Sequence, residues 1–222
     1  ITAAVRDVDV TDVDDALSYF EKTRLSAKNG EVGIKTNIAS FDACLPMGIA
    51  KGQLGILLAY PAIGKSWLAL YFATQAWKNG RIPMVLSLEM TEQEVRNRVY
   101  TIMGDGKFSH RGMSSGRIDT QSFTSWSEQN LKGKQPFKIV SNDTGSEINP
   151  NVIRGKIDQY KPDIVFIDYL QLMSDNNGTY GNETVKIKNL SRELKLLAIS
   201  EQIPIVAIAS ATPDDSSDLE SV

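Results

Sequence analysis

Apolar residues along this chain fall into two alternating patterns. Short runs stand at Leu54–Ala59, Pro83–Ser87, Phe137–Val140, Asp163–Tyr169 (with its apolar centre at Ile164–Ile167) and Pro204–Ala209. Runs of this length bounded by turn residues read as strands. The first, between Gly52 and Pro61, reads as a fully buried one. Between the runs the apolar positions recur at helical spacing. Helices are predicted over Lys65–Lys78, stopped by Asn79-Gly80, and from the capping box Thr91-Glu92-Gln93-Glu94 to about Met103. Others are predicted around Thr120–Leu131 and after Asn149-Pro150, where Val152, Ile153 and Ile157 form a stripe. The last runs from about Glu183 to Glu201, with Ile187, Leu190, Leu194, Leu197 and Ala198 on one face. Strands alternating with amphipathic helices predict an α/β fold, a mostly parallel sheet with helices on both faces. In such sheets ligands sit outside the carboxyl ends of the strands.

The remaining segments lack this alternation. In residues 1–30, Val13, Leu17 and Phe20 fall on one helical stripe near Leu25, and Thr11 or Asp12 can serve as N-cap. A single short amphipathic helix needs a surface for its stripe. That surface is either its own domain or a neighbouring subunit, and the pattern does not choose. Gly30–Gly52 is turn-rich, and residues 104–135 are a long polar excursion around the one helix. Ser174–Asn182 reads as a flexible loop and Pro213–Val222 as an acidic, Ser-rich tail. The division is therefore 1–30, a helix and connection, and 31–222, one larger domain.

Composition narrows the class. With 41% hydrophobic and 23% charged residues the 222-residue chain has the make-up of a soluble globular protein. No run approaches the ~20 apolar residues of a membrane span, and the acidic N-terminus carries no signal peptide. The only cysteine, Cys44, excludes an intrachain disulfide and points to a reducing compartment. With His110 as the only histidine, a Cys/His zinc site is excluded as well. A net charge of -3 argues against a broad basic face for nucleic acid. Lys107, Arg111, Arg117, Lys132 and Lys134 read as solvated loop charges. Ile1 in place of a methionine points to a fragment or a processed chain.

Candidate chemistry gathers at the strand ends. Leu54–Trp67 reads as a strand, a phosphate-sized loop and a helix N-terminus opened by Gly64-Lys65-Ser66. The backbone N–H groups of Pro61, Ala62, Ile63, Gly64, Lys65, Ser66 and Trp67, where present, and the helix dipole favour an anion. Lys65 can reach the β- and γ-phosphates of ATP, and Ser66 can hold Mg²⁺. Ala59 stands where the P-loop pattern has its first glycine, so an ordinary strand-to-helix turn is the competing reading. Asp168, after four apolar strand residues, has the Walker-B arrangement of a second Mg²⁺ ligand. Its alternative is a turn aspartate. Glu89 follows the second strand and can orient or deprotonate an attacking water, or simply favour the next helix N-terminus. Ser210 ends the last strand on the same rim.

These residues resemble the replicative DNA helicases of the DnaB type. Ala59-Tyr60-Pro61-Ala62-Ile63-Gly64-Lys65-Ser66 resembles their phosphate loop, Ser87-Leu88-Glu89-Met90 their second motif, and Ile167-Asp168-Tyr169-Leu170-Gln171-Leu172-Met173 their Walker-B segment. Leu190–Ala198 followed by Ile203-Pro204-Ile205 is similar to the helix and strand that come next, and Ser217–Ser221 to a later segment. The resemblance covers about Gly33 to the end. It implies a RecA-like P-loop ATPase domain using ATP and Mg²⁺, with Lys65 and Ser66 on phosphate and metal, Asp168 as the Walker-B acid and Glu89 as the catalytic glutamate. It further implies a homo-oligomer, a hexameric ring around single-stranded DNA, working with a primase or helicase loader in the cytoplasm of a bacterial or phage-infected cell. The helix around Val13–Phe20 would be the linker helix that packs on the adjacent subunit. Arg98 matches a family arginine to which the resemblance gives no role.

The chain departs from the family where a glutamine usually senses the γ-phosphate; Ser210 stands there. Only Ala211–Ser216, with two aspartates, replaces a longer basic loop facing DNA. The family's arginine finger lies beyond Val222, which implies poor ATP hydrolysis by these 222 residues. The leading expectation is an ATP-driven helicase motor. Its alternatives are a RecA-type recombinase and a nucleotide-dependent ring-assembly factor without translocation, the latter favoured by Ser210 and the acidic tail.

Overall fold

The computed structural model describes residues 8–28, 33–142, 145–176 and 183–211. Most of the predicted Ser174–Asn182 loop, the connection at 29–30, the Ala211–Ser216 piece after Ala211, the Ser217–Ser221 segment and the tail lie outside them.

Five strands form one sheet in the order β1-β5-β4-β2-β3. They are β1 (Leu54–Ala59), β2 (Pro83–Ser87), β3 (Lys138–Ser141), β4 (Ile164–Asp168) and β5 (Ile205–Ser210). Every pairing is parallel. The helices are α1 (Val13–Lys28), α2 (Ala39–Cys44), α3 (Lys65–Lys78), α4 (Glu92–Met103), α5 (His110–Ser114), α6 (Thr120–Asn130), α7 (Pro150–Tyr160) and α8 (Glu183–Glu201). A turn of 3₁₀ helix, Leu170–Leu172, follows β4.

The unbroken apolar runs are explained by burial on both faces of the sheet. Along β4, Ile164 and Phe166 point into one core with α3 and α4, among them Leu70, Phe72, Val95 and Val99. Val165 and Ile167 point into the other with α7 and α8, among them Ile153, Leu190, Leu194 and Leu197. A strand packed on both sides has no polar face to show in sequence.

The helix starts follow their caps. Thr91 Oγ1 accepts from the Glu94 backbone N–H at 3.3 Å while Glu94 Oε2 accepts from that of Thr91 at 2.9 Å. This reciprocal bonding holds the Glu94 carboxyl below the usual carboxylate range. Asn149 caps α7 ahead of Pro150, and Asp12 Oδ1 accepts from the N–H groups of Asp14 and Asp15 at the start of α1.

Three expectations need correction. β1 is not fully buried: it is an edge strand paired only with β5 among the described residues, and Ile56 and Leu58 are 43% and 55% exposed. An apolar run reports hydrophobicity but not the presence of a neighbour on each side. The turn-rich stretch before β1 contains α2 and an antiparallel bridge between Ile34 and Ile49. There the backbone passes so close that a Cβ on Gly33 would meet the Ile49 carbonyl at 2.6 Å. The polar excursion holds α5 as well as α6. Both α2 and α5 are too short to complete a readable helical period.

Lys107, Arg111, Arg117, Lys132 and Lys134, expected as solvated loop charges, are all exposed, although Arg111 lies in α5 and not in a loop. No helix among the described residues is long and apolar enough to cross a membrane. α1 has no buried residue, and Leu17 and Phe20 are 59% and 64% exposed.

Candidate functional site

The carboxyl ends of β1, β2, β4 and β5 open on a cleft of about 660 Å³. The sequence-predicted residues Pro61, Ala62, Gly64, Lys65, Ser66, Trp67, Glu89, Asp168 and Ser210 all line it. Ile63 does not; its side chain is 65% exposed.

The loop after β1 turns into α3 through Gly64, whose φ of 95° is left-handed. A side chain there would be strained by the backbone alone. Ala62 is also left-handed, at φ 64°. The Lys65 Nζ donates to the carbonyl oxygens of Ala59 and Tyr60, both at 2.7 Å. The ammonium therefore lies folded over the mouth of its own loop. α3 is fixed at its far end, where Trp77 Nε1 donates to the Gln135 carbonyl at 2.8 Å and the Gln135 side chain donates back to that of Trp77.

Glu89 is held in line by its neighbours. Ser87 Oγ donates to the Met90 carbonyl at 2.7 Å and accepts from the Met90 N–H at 3.1 Å, closing a tight turn. The Leu88 N–H donates to the Asp168 carbonyl at 2.8 Å, so the ends of β2 and β4 are tied together. The Glu89 side chain is exposed in the cleft and Asp168 is buried beside it.

Burial pushes the Asp168 carboxyl above the usual carboxylate range. The nearby Ser66 hydroxyl opposes this, Glu89 reinforces it, and Arg98 and Lys65 oppose it. Asp168 Oδ2 is buried and has no hydrogen-bond partner among the described residues. A buried carboxylate oxygen with no donor is costly, and a hard cation is the partner its chemistry fits. Tyr169, next in the chain, is pushed up by burial and then by Glu89, Asp168 and Glu183.

Among the further lining residues, four with polar or charged side chains were not singled out as site residues by sequence: Tyr169, Gln171, Glu183 and Arg98. Gln171 lies inside the run that carries Asp168, and Arg98 lies on the helix that follows Glu89. Those positions were the available signals. The Gln171 amide bonds the main chain of Ser210, and Lys186 Nζ donates to the Gln171 carbonyl at 2.8 Å.

The cleft thus joins a helix N-terminus, an ammonium, a hydroxyl and two carboxylates, one exposed and one with a buried oxygen that has no donor among the described residues. This arrangement suits a polyphosphate with a divalent cation.

Residues 33–213 match the family described as DnaB-like helicase C terminal domain. The replicative DNA helicase DnaB of Leifsonia xyli subsp. xyli (strain CTCB07) is 31% identical over 188 residues, covering 82% of this chain and 40% of that protein. The replicative DNA helicase DnaB of Helicobacter pylori (strain ATCC 700392 / 26695) is 31% identical over 179 residues, covering 79% and 36%. The chain spans about two fifths of the length of these curated relatives. Among solved structures, an isolated ATPase domain superposes with a TM-score of 0.76 at 23% identity, covering 94% of this chain and 74% of that one. A DnaB-like replicative helicase, solved in a study of its interactions with primase, superposes with a TM-score of 0.73 at 23% identity, covering 96% and 51%. A match over residues 33–213, most of its length, makes this chain a member of the DnaB-like helicase C-terminal domain family.

Proposed function

We propose that this chain is the ATP-hydrolysing motor of a replicative DNA helicase. The observation that carries the reading is the buried, unpartnered Oδ2 of Asp168 in a cleft that also holds Lys65, Ser66 and Glu89. Ser66 and Asp168 would hold Mg²⁺, which supplies positive charge to the phosphates. Lys65 leaves the Ala59 and Tyr60 carbonyls to contact the β- and γ-phosphates. The loop's N–H groups cradle the chain of phosphates, and Gly64 gives the turn that aims them. Glu89, exposed and held by the Ser87 turn, orients water for attack and accepts its proton.

The exposed stripe of α1 supports its reading as a linker helix that docks on a neighbouring subunit, and with it a ring, hexameric as the family resemblance implies. Such a ring encircles single-stranded DNA and grips phosphates, because a motor must pass every sequence. Primase or a loader is the natural partner class, given the primase study of a structural relative. Membership of the helicase family does not favour the recombinase and assembly-factor readings.

The test is ATP turnover by the protein in its full natural length, with and without single-stranded DNA, and with K65A as control. Stimulation by DNA that disappears in K65A supports the reading. Nucleotide binding without any DNA response would sink it.

A further inference from the structure

β3 closes the sheet on the side away from β1, and among the described residues it pairs only with β2. An edge strand keeps backbone N–H and C=O groups turned outward. Along this edge lies a groove of about 580 Å³. It is lined by Lys138, the first residue of β3, and by Trp77, Met103 and Tyr160 in the last turns of α3, α4 and α7. It therefore sits at the amino ends of the strands. It shares no lining residue with the cleft at their carboxyl ends.

The groove has two unlike walls, because the side chains of a strand alternate between the faces of its sheet. Ile139 turns toward α4, where Val99, Tyr100 and Leu131 form an apolar wall. Lys138 turns the other way, its Nζ 5.1 Å from the centroid of the Tyr160 ring on α7. Lys156 Nζ stands 5.7 Å from the same ring, and Lys134 adds a third ammonium at the rim. None of these lysines has a carboxylate partner among the described residues. Arg96, also on the groove, is held by Glu92. Three unpaired cations gathered at one edge contrast with a chain of net charge -3. The back of the groove is pinned by the reciprocal bonds of Trp77 with Gln135, so it stands formed before anything enters, which lowers the ordering cost of binding.

We propose that the β3 edge is the docking site for an extended acidic segment of a partner protein, which joins the sheet as a further strand. Main-chain bonds to β3 supply affinity, and the two walls supply specificity. Apolar residues of the segment face Ile139 and the α4 wall, and the carboxylates that alternate with them meet the lysines. Nucleic acid fits this edge less well. It binds through aromatic faces open to its bases, and here the Tyr160 ring faces two ammonium groups while Tyr100 packs against Phe123 and Trp126. Outward peptide groups match another peptide rather than a sugar–phosphate chain. The site is independent of nucleotide binding at the cleft.

The experiment is fluorescence anisotropy of a labelled peptide of alternating glutamate and leucine, titrated with the full chain. Binding is expected to weaken with salt and to fall about tenfold or more in K134E/K138E, while that variant binds ATPγS as the wild type does. N-methylating one alternate set of the peptide's amides abolishes binding and N-methylating the other set does not, as a strand bonded along one side requires. Equal binding of a peptide with its glutamates and leucines in separate blocks, or of a lysine–leucine peptide, overturns the proposal in favour of plain apolar adhesion. Displacement of the peptide by oligothymidylate, itself dependent on Lys134 and Lys138, makes the edge a nucleic-acid site and overturns it too. So does light scattering that finds the wild type self-associated and K134E/K138E monomeric, which makes a second copy the occupant. No binding at about 1 mM peptide also overturns it, leaving the lysines as guards against edge pairing. Should K134E/K138E fail to fold by circular dichroism, K138Q and the N-methylated peptides carry the same comparison.

Discussion

The side-chain amide of Gln171 clasps the main chain of Ser210 at two points. Its Nε2 donates to the Ser210 carbonyl at 2.9 Å and its Oε1 accepts from the Ser210 N–H at 3.4 Å. β4 pairs with β5 no further than Ile167 and Ala207, so beyond that point β5 has lost its strand neighbour on this side. Gln171 supplies from a side chain the donor and acceptor that a peptide unit would have supplied. Removing it in Q171A should cost about 1–3 kcal/mol, at roughly 0.5–1.5 per hydrogen bond. Hydrogen exchange at the Ser210 amide should accelerate while that of β5 residues paired with β4 stays slow. Unchanged protection at Ser210 would show that the clasp is not maintained in solution.

Asp168 gives a pH-dependent prediction. Folding raises its pKa, so the folded chain holds this proton more tightly than the unfolded one. The carboxyl therefore favours the fold at acid pH and opposes it as pH rises through the ordinary carboxylate range. Asparagine is neutral throughout. In chelator and without nucleotide, D168N should melt above the wild type at neutral pH, the gap closing on acidification. Adding Mg²⁺ and ATPγS should raise the melting temperature of the wild type and not that of D168N. A gap that does not vary with pH would remove burial as the cause.

The two faces of the sheet predict contrasting substitutions. Leu86 and Leu194 are wholly buried in the core beside α7 and α8, and L86A or L194A should each cost about 2–5 kcal/mol. Leu58 is 55% exposed on the edge strand, and L58S should stay within about 1 kcal/mol. Urea denaturation measures all three. A large loss in L58S would mean that the outer edge of β1 is covered in solution.

The stripe of α1 predicts an effect on assembly and not on the fold. No residue of α1 is buried, so L17A/F20A should leave the melting temperature of a dilute, dissociated sample within about 1 °C. If the helix docks on a neighbour, the same variant should shift the mass seen by light scattering toward the monomer. A lower melting temperature with unchanged mass would place the stripe on its own domain instead.

Legibility in the sequence followed the length and burial of each element. β2, β4, α3, α4 and α8 were readable because strands buried on both faces are apolar throughout and the long helices complete several turns. Helices of five and six residues, α5 and α2, offered no period to read. The exposure of Ile56 and Leu58 depends on which strands pair, and that is decided by contacts far along the chain. At the cleft, Lys65, Ser66, Glu89 and Asp168 were legible because each follows a strand end. The Gln171–Ser210 clasp and the stacking of the Arg98 guanidinium on the Trp67 ring were not. Their partners lie 39 and 31 positions apart, and no local spacing announces a pair formed by the closing of the sheet.

The packing of α3 has a mechanical consequence. Ala69, Leu70, Phe72, Ala73, Thr74, Gln75, Ala76 and Trp77 are all buried, and the reciprocal bonds with Gln135 pin its far end. The helix behaves as a post set in masonry, with the phosphate loop as its cap. A close-packed interior has little compliance, so a nucleotide arriving at this post cannot push it aside. The recoil goes to the softer members: the Lys65 ammonium, the Glu89 turn, and the end of β5, clasped on its β4 side by one amide. Any stroke this domain delivers starts from those three, with α3 as the fixed frame against which they move.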